Sequence, residues 1–484
     1  MHKTHAVIAL VGAMLLPGGV MAQDAKAVVE RAIQATGSAG LTSITYSGVA
    51  ANANFGQSRT ISFGLASTSI RSYTRTIDFS QPASRATGAT LPPAPRGGPP
   101  PQPGTFDQSI GPANPAWAQQ LQIWVTPWGF LRGAAARNAT VRSRKIDGVN
   151  YNVVTWSPEQ KAPSGQSYRL VGYINDGNTV ERVETWVEHP ILGDMHVEFS
   201  YTSYQDFGGL KVPMRISQKQ VGMETFVASI NAAQANPPNL SQLMSAPAAA
   251  TPAGAGRGGG AAQSPPAVAS EKLADGVYRI TGGYVALAVE LKDYVVVLEG
   301  GQSEARGLAI LAETKRLIPG KRIRYVVNTH PHFDHAGGLG PFAAEGITIL
   351  TDDNNKYFLT QALSSPRTLV GDTLAKSGKK PKVEGVVEKM VIKDDTRTIE
   401  LHHITDLEHS DGMLIAYLPK ERILFSADFN MPAQGQPASP SIATLLENIE
   451  RLQLDFETHV LVHAPNPDRR MTKADLLALA KGGQ

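Results

Sequence analysis

The sequence has 484 residues, enough for two or three domains at ~100–200 residues each. Hydrophobic residues make up 42% and charged residues 18%; with 45 Lys+Arg against 42 Asp+Glu, the net charge of +3 describes a globular chain without the basic excess of a general nucleic-acid binder. Cysteine is absent, which excludes disulfides, thiolate-held zinc, iron–sulfur clusters and thiol nucleophiles.

The N-terminus reads as an export signal. Lys3 supplies a positive start, Ala6 to Leu16 an apolar run, Pro17-Gly18-Gly19 a break, and Val20-Met21-Ala22 a small-residue cleavage site after Ala22. The run is too short for a membrane-spanning helix, which takes ~20 apolar residues. Residues 1–22 are thus expected to be removed, giving a periplasmic or secreted protein with no transmembrane segment. Lacking cysteine, such a protein has to be held together by its core and by metal.

Residues 23–244 are expected to form a first domain, mainly antiparallel β. A helix is predicted over Ala25 to Thr36, ending at Gly37. Alternating runs follow at Ser43–Val49, Tyr151–Trp156, Tyr168–Ile174, Val180–Val187, His196–Tyr204 and Val212–Gln218, separated by turn residues such as Asn175-Asp176-Gly177-Asn178. The Pro- and Gly-rich stretch Leu91 to Gly104 reads as a surface loop within this domain. A helix on a curved antiparallel sheet results, faintly similar in layout to the half-barrel of periplasmic lipoprotein carriers, with no motif carrying the likeness. His189 and His196 have no partner pattern and read as structural. No catalytic cluster assigns this half a role.

From Ser245 to Ser270, 19 of 26 residues are Ala, Pro or Gly and Arg257 is the sole charge. Such a segment cannot bury enough apolar surface to offset its ordering entropy, so residues 245–270 read as a linker.

Residues 271–484 mix strands with helices. Strands are predicted at Val277–Ile280, Val285–Leu291, Tyr294–Leu298, Ile323–Asn328, Thr398–His403, Met413–Leu418, Ile423–Ser426 and His459–Val462. Helices are predicted over Glu304–Leu317, capped by Ser303, and over Ser441–Leu452 and Thr472–Ala480. The pattern is that of a layered domain, and the whole chain is α+β.

Eight of the twelve histidines lie between His330 and His463. The densest stretch is Thr329-His330-Pro331-His332-Phe333-Asp334-His335, directly after a predicted strand. His330 and His332, two apart, face the same side and can hold one zinc. Asp334 and His335 lie past the bend, aimed at a second position, and Gly337-Gly338 let the backbone turn without a Cβ in the way. Three further candidates sit at strand ends, where catalytic groups of open α/β sheets gather: His409, Asp428 and His463. His409 is favoured over His402 and His403, which as neighbours on a strand face opposite sides. His459 begins a strand and reads as structural.

On the Thr-His-x-His-x-Asp-His run and on Ser426-Ala427-Asp428, this half resembles the metallo-β-lactamase-fold hydrolase superfamily, an αβ/βα sandwich. The resemblance implies one metal held by His330, His332 and His409, a second held by Asp334, His335 and His463, and Asp428 bridging both, closest to the glyoxalase II type of centre. Three places depart from the family pattern: Glu408-His409-Ser410 stands for Gly-His-Thr, Val462-His463-Ala464 for Gly-His-Gly, and Glu299-Gly300 for an Asp before Thr-Gly.

Two zinc ions are expected, with iron or manganese also compatible with the sulfur-free ligands. The expected function is that of an exported dinuclear hydrolase using a metal-bridging hydroxide on a small ester, lactone, thioester or β-lactam-type amide, with Asp334 orienting the nucleophile and moving its proton. The partner is a small-molecule substrate; export and near-neutral charge argue against nucleic acid, and the oligomeric state is left open. The alternative is an envelope ligand-binding protein with an idle metal-binding domain. Loops Thr351–Asn355 and Pro432–Pro440 are expected at the pocket rim.

Overall fold

The computed structural model describes residues 24–60, 65–93, 101–112, 117–245, 268–429, 440–465 and 468–480. The predicted export signal, nearly all of the predicted linker and residues 432–439 of the second rim loop lie outside the described residues. Among the described residues no helix is long and apolar enough to cross a membrane.

The first half is built on one 11-stranded antiparallel sheet. Its spatial order is Gly104–Ile110, Ala83–Leu91, Ser67–Asp78, Ser43–Ala53, Met223–Ala235, Leu210–Gln220, Gly193–Phe207, Val180–His189, Leu170–Asn175, Val149–Trp156 and Thr140–Ile146. Along Gly193–Phe207 the buried residues are Met195, Val197, Phe199 and Tyr201, every second position, so one sheet face is turned to the core. Helices Ala25–Thr36, Trp117–Trp124 and Pro127–Ala135 cover that face with Val28, Val29, Leu121, Phe130 and Leu131. The Leu91–Gly104 stretch joins two paired strands, with Thr90 opposite Gly104.

Five strands of this sheet were not predicted: Ser67–Asp78, Ala83–Leu91, Gly104–Ile110, Thr140–Ile146 and Met223–Ala235. The two outermost, Gly104–Ile110 and Thr140–Ile146, are mostly exposed, so no apolar alternation marks them.

The second half is a sandwich of two sheets. One runs Ala269–Ala274, Val277–Thr281, Ala286–Glu290, Tyr294–Leu298, Arg322–Val327, Thr348–Asp352 and Lys382–Val386, antiparallel over its first three pairings and parallel over its last three. The other runs Lys389–Lys393, Thr398–Ile404, Met413–Leu418, Ile423–Ser426, Thr458–Leu461 and Met471–Thr472. In Tyr294–Leu298, Val296 and Leu298 enter the core between the sheets, whereas Val295 and Val297 face helices Glu304–Leu317 and Leu339–Glu345. Burial on both faces produces the nearly continuous apolar runs seen in the sequence. The expected linker stops short of Ser270, because Ala269 and Ser270 already pair with Thr281 and Ile280.

The halves share one core. A single cluster of buried side chains runs from Val28 and Tyr46 of the first half to Val297, Phe342 and Leu369 of the second. Among the described residues, polar contacts join them at two places. Asp194 accepts from the Thr368 and Leu369 backbone N–H groups and from the Thr368 hydroxyl, while Arg367 donates to the Pro190 and Ile191 carbonyls. The other join lies at the histidine cluster.

Candidate metal centre

The cluster gathers at the carboxyl ends of strands. His330 and His332 follow strand Arg322–Val327, and Asp334 and His335 sit on the one-turn helix Phe333–Ala336. Asp428 and His463 follow Ile423–Ser426 and Thr458–Leu461, which are paired in parallel and so end side by side. His409 lies on the loop after Thr398–Ile404.

Gly337 and Gly338 leave no Cβ in the way, as expected, but close packing and not the turn is the reason. Gly338 has an ordinary φ of −94°, so the turn itself does not demand glycine. A Cβ there would lie 2.1 Å from the Gly300 carbonyl oxygen, and it is this close backbone approach, sealed by Gly338 N–H donating to Gly301 O at 2.8 Å, that excludes a side chain.

Two groups of side chains could each hold a cation: His330, His332, His409 and Asp428 in one, and Asp334, His335 and His463 in the other. Asp428 joins them. Its Oδ2 lies 3.2 Å from His330 Nε2 and 2.5 Å from His409 Nε2, and its Oδ1 lies 3.0 Å from His335 Nε2 and 2.5 Å from His463 Nε2. Asp428 holds a left-handed φ of 58°, a backbone cost found where surrounding structure imposes a functional geometry. All seven predicted positions therefore meet at one place. His402 and His403 do not: His402 Nε2 lies 3.0 Å from Glu400, and His403 Nδ1 lies 2.5 Å from Asp352. His459 bonds Ser426 Oγ at 2.8 Å. In the first half, His189 Nδ1 accepts from the Ile191 and Leu192 N–H groups and His196 packs on Trp186.

The donor chemistry fits a metal. His332 Nδ1 is buried and has no hydrogen-bond partner among the described residues, and the Nε2 atoms of His330, His335, His409 and His463 crowd onto the two oxygens of one carboxylate at 2.5–3.2 Å, which would be costly in a site meant to stay empty. The opposite ring nitrogens are occupied. His330 Nδ1 lies 3.3 Å from Thr329 Oγ1, His332 Nε2 lies 3.0 Å from the Ser58 carbonyl, and His335 Nδ1 lies 3.3 Å from Glu299. Such outer partners orient a ligating ring and fix its tautomer.

Glu299 is the main residue whose role here was not foreseen. It is fully buried with φ 75°, accepts from the Thr329 hydroxyl at 2.7 Å and from the Gly300 N–H at 3.1 Å, and so supports both His330 and His335. Its only signal in the sequence was its position as the acid ending a strand before glycine. Tyr284, also unforeseen, donates its hydroxyl to Asp334 Oδ2 at 2.7 Å and lays its ring 4.4 Å from His463. Arg306 locks the chain at Tyr284 by donating to the carbonyls of Tyr284, Thr281 and Ile280.

Charge in the cluster is strongly coupled. Burial drives His330 well below its usual range and His332 down to about 4, so both are neutral lone-pair donors at neutral pH. Burial also disfavours the charged form of His335, but Asp428 and Glu299 outweigh it and raise this histidine to about 10. For Asp334 burial acts upward, yet His335 and the bonds from Tyr284 and Gln57 hold the carboxyl below its ordinary value. A cation held here would take the place of the proton on His335.

Beside His332 lies an apolar cleft lined by Phe55, Leu192 and Met223 of the first half and Pro331, Phe333 and Phe358 of the second. Of the expected rim loops, Thr351–Asn355 ends a strand and opens helix Asp353–Ser364, where Asn355 donates to the Gly412 carbonyl near His409.

Two facing sheets with outer helices and paired His/Asp groups at the strand ends define a metallo-β-lactamase-type domain. Residues 281–463 match the family model of the Metallo-beta-lactamase superfamily, and the second half carries a domain of that superfamily. The chain is 24% identical over 219 residues to the 2,4-dinitroanisole O-demethylase subunit alpha of Nocardioides sp. (strain JS1661), a match covering 43% of this chain and 62% of that protein. The chain thus spans less than two thirds of this curated relative's length. Solved metallo-beta-lactamases from Pontibacter korlensis (17% identical, TM-score 0.33) and Hirschia baltica (20% identical, TM-score 0.34) each align with 44% of this chain and 96% of their own. The fold together with the His/Asp cluster supports a metallo-hydrolase.

Proposed function

We propose that this protein is an exported dinuclear metal-dependent hydrolase acting on a small ester, lactone, thioester or β-lactam-type amide. The observation that carries this reading is the Asp428 carboxylate, which offers one oxygen to each of two groups of ring nitrogens. His330, His332 and His409 would hold one cation, Asp334, His335 and His463 the other, and Asp428 both. Neutral imidazoles with carboxylates and no sulfur suit zinc, and would accept iron or manganese. Two such cations would supply Lewis acidity and lower the pKa of a bound water toward ~7.

The chain's own groups set the geometry. Asp334 is ionised, and both its oxygens are held, Oδ1 by Gln57 Nε2 at 2.6 Å and Oδ2 by the Tyr284 hydroxyl. Each oxygen retains one further lone pair, so one oxygen can face the cation while the other takes up a proton. The apolar cleft beside His332 gives the apolar part of a small substrate a place to lie. The relative named for 2,4-dinitroanisole demethylation adds an activated aryl methyl ether to the bonds worth assaying.

Protein purified without added metal is expected to carry close to two ions by elemental analysis, and His332→Ala is expected to lose metal and turnover together. Nitrocefin, a homoserine lactone, an aryl ester, a phosphodiester and 2,4-dinitroanisole would identify the bond class. A metal-free protein whose activity is untouched by His332→Ala would overturn the reading.

A further inference from the structure

We infer that the first half completes the metal centre: Gln57 is a positioning residue for Asp334, and the Ser58 carbonyl sets the tautomer of His332. This rests on the two-metal reading above.

Residues 55–59 follow strand Ser43–Ala53 of the 11-stranded sheet, yet most of their polar contacts cross to the second half. The Gly56 carbonyl accepts from Phe333 N–H at 3.1 Å and the Arg59 carbonyl from Asp411 N–H at 2.9 Å. Between these two anchors, Gln57 Nε2 donates to Asp334 Oδ1 at 2.6 Å and Ser58 O receives His332 Nε2 at 3.0 Å. Phe55 meets Phe333 edge-on at 5.2 Å. Gly56 has φ 88°, and a Cβ on it would fall 2.1 Å from the Phe333 ring, so the strap lies this close only with glycine at its centre. A loop that merely covered the site would bury apolar surface. This one delivers a donor to an acid and an acceptor to a histidine, each on a residue of the cluster.

The chemistry of the two contacts is specific. A carbonyl oxygen can only accept, so Nε2 of neutral His332 carries the proton and the partnerless, buried Nδ1 keeps its lone pair for a cation. The Gln57 amide fixes one Asp334 oxygen while Tyr284, from the second half, fixes the other. Without Gln57 the carboxylate can rotate away from the His335 and His463 ring nitrogens, and ligand groups lose affinity when such outer partners go, by ~10–100-fold.

The test uses the full chain with Gln57→Leu and the near-isosteric Gln57→Glu, each titrated with zinc against a competing chelator and examined by the visible spectrum of the cobalt(II) form. Loss of ~10–100-fold affinity for one of the two ions, with the other ion retained and the cobalt spectrum altered, is expected in both variants. Should Gln57→Leu fail to fold, Gln57→Glu keeps the shape and replaces the donor with an oxygen that repels ionised Asp334. Two ions bound with unchanged affinity and spectrum in a folded variant would overturn this inference alone. Fewer than two ions in the wild type would overturn the dinuclear reading and this one with it.

Discussion

The two halves bury their strands in opposite ways, and their chemistry follows. The first half turns one face of a long antiparallel sheet to its helices and leaves the outer strands largely exposed. The second packs strands such as Met413–Leu418 on both faces, every residue buried, and brings short parallel strands to a common end where polar side chains converge. The histidine cluster draws on several strand ends at one point, which the parallel strands of the sandwich provide. The halves nonetheless share one core, and the strap at residues 55–59 means that the half without a cluster of its own still shapes the one next to it. Division into domains by sequence is therefore no guide to division of labour.

The largest expected break in this picture comes from Glu299→Ala. The change strips the acceptor from the Thr329 hydroxyl and the Gly300 N–H at a fully buried site, costing about 1–3 kcal/mol for each group left unpaired. It also frees His330 and His335, so zinc affinity is expected to fall ~10–100-fold. Denaturant unfolding and chelator competition would read the two losses. If both stay small, the second half does not depend on its buried acid.

Asp194→Ala tests the other junction. It removes three acceptor contacts to Thr368 and Leu369, none of them to a residue of the cluster, and is expected to cost about 1–3 kcal/mol in unfolding free energy with zinc affinity unchanged. A coupled loss of metal would show that the two junctions act as one. The smallest effect is expected from Arg59→Ala. Its ion pair with Asp411 spans 2.7 Å but leaves the side chains 37% and 41% exposed, so removal should cost under about 1 kcal/mol and less still in high salt. The Arg59 carbonyl remains to anchor the strap, and zinc binding should survive. A large loss would mean that the side chain, and not the backbone, holds the strap down.

Much of the second half was legible because burial on both faces leaves short apolar runs, bounded by turn residues, that read as buried strands. Tyr294–Leu298, Met413–Leu418 and Ile423–Ser426 lie where the sequence places them. The Thr329–His335 run was legible for another reason: three histidines and an acid in so short a stretch have few uses besides metal. The first half was harder. Ser67–Asp78 and Ala83–Leu91 are rich in Ser, Thr and Ala, carry little periodic signal, and are strands because their neighbours supply the pairing. Glu299, Tyr284 and Gln57 were illegible as site residues, since each acts through a partner remote in the chain.

From the sequence alone came the absence of thiol chemistry, the helix at Ala25–Thr36, the layered second half and the residue types of the cluster, all properties of composition or of short-range periodicity. Tertiary structure decided which histidines meet, since His402, His403 and His409 differ by only a few positions yet point to separate partners. It also decided that Asp428 faces both groups and that a strap from the first half reaches Asp334 and His332. Those contacts join residues as many as 277 positions apart, and no local pattern encodes them: they exist only once two independently paired sheets have packed against each other.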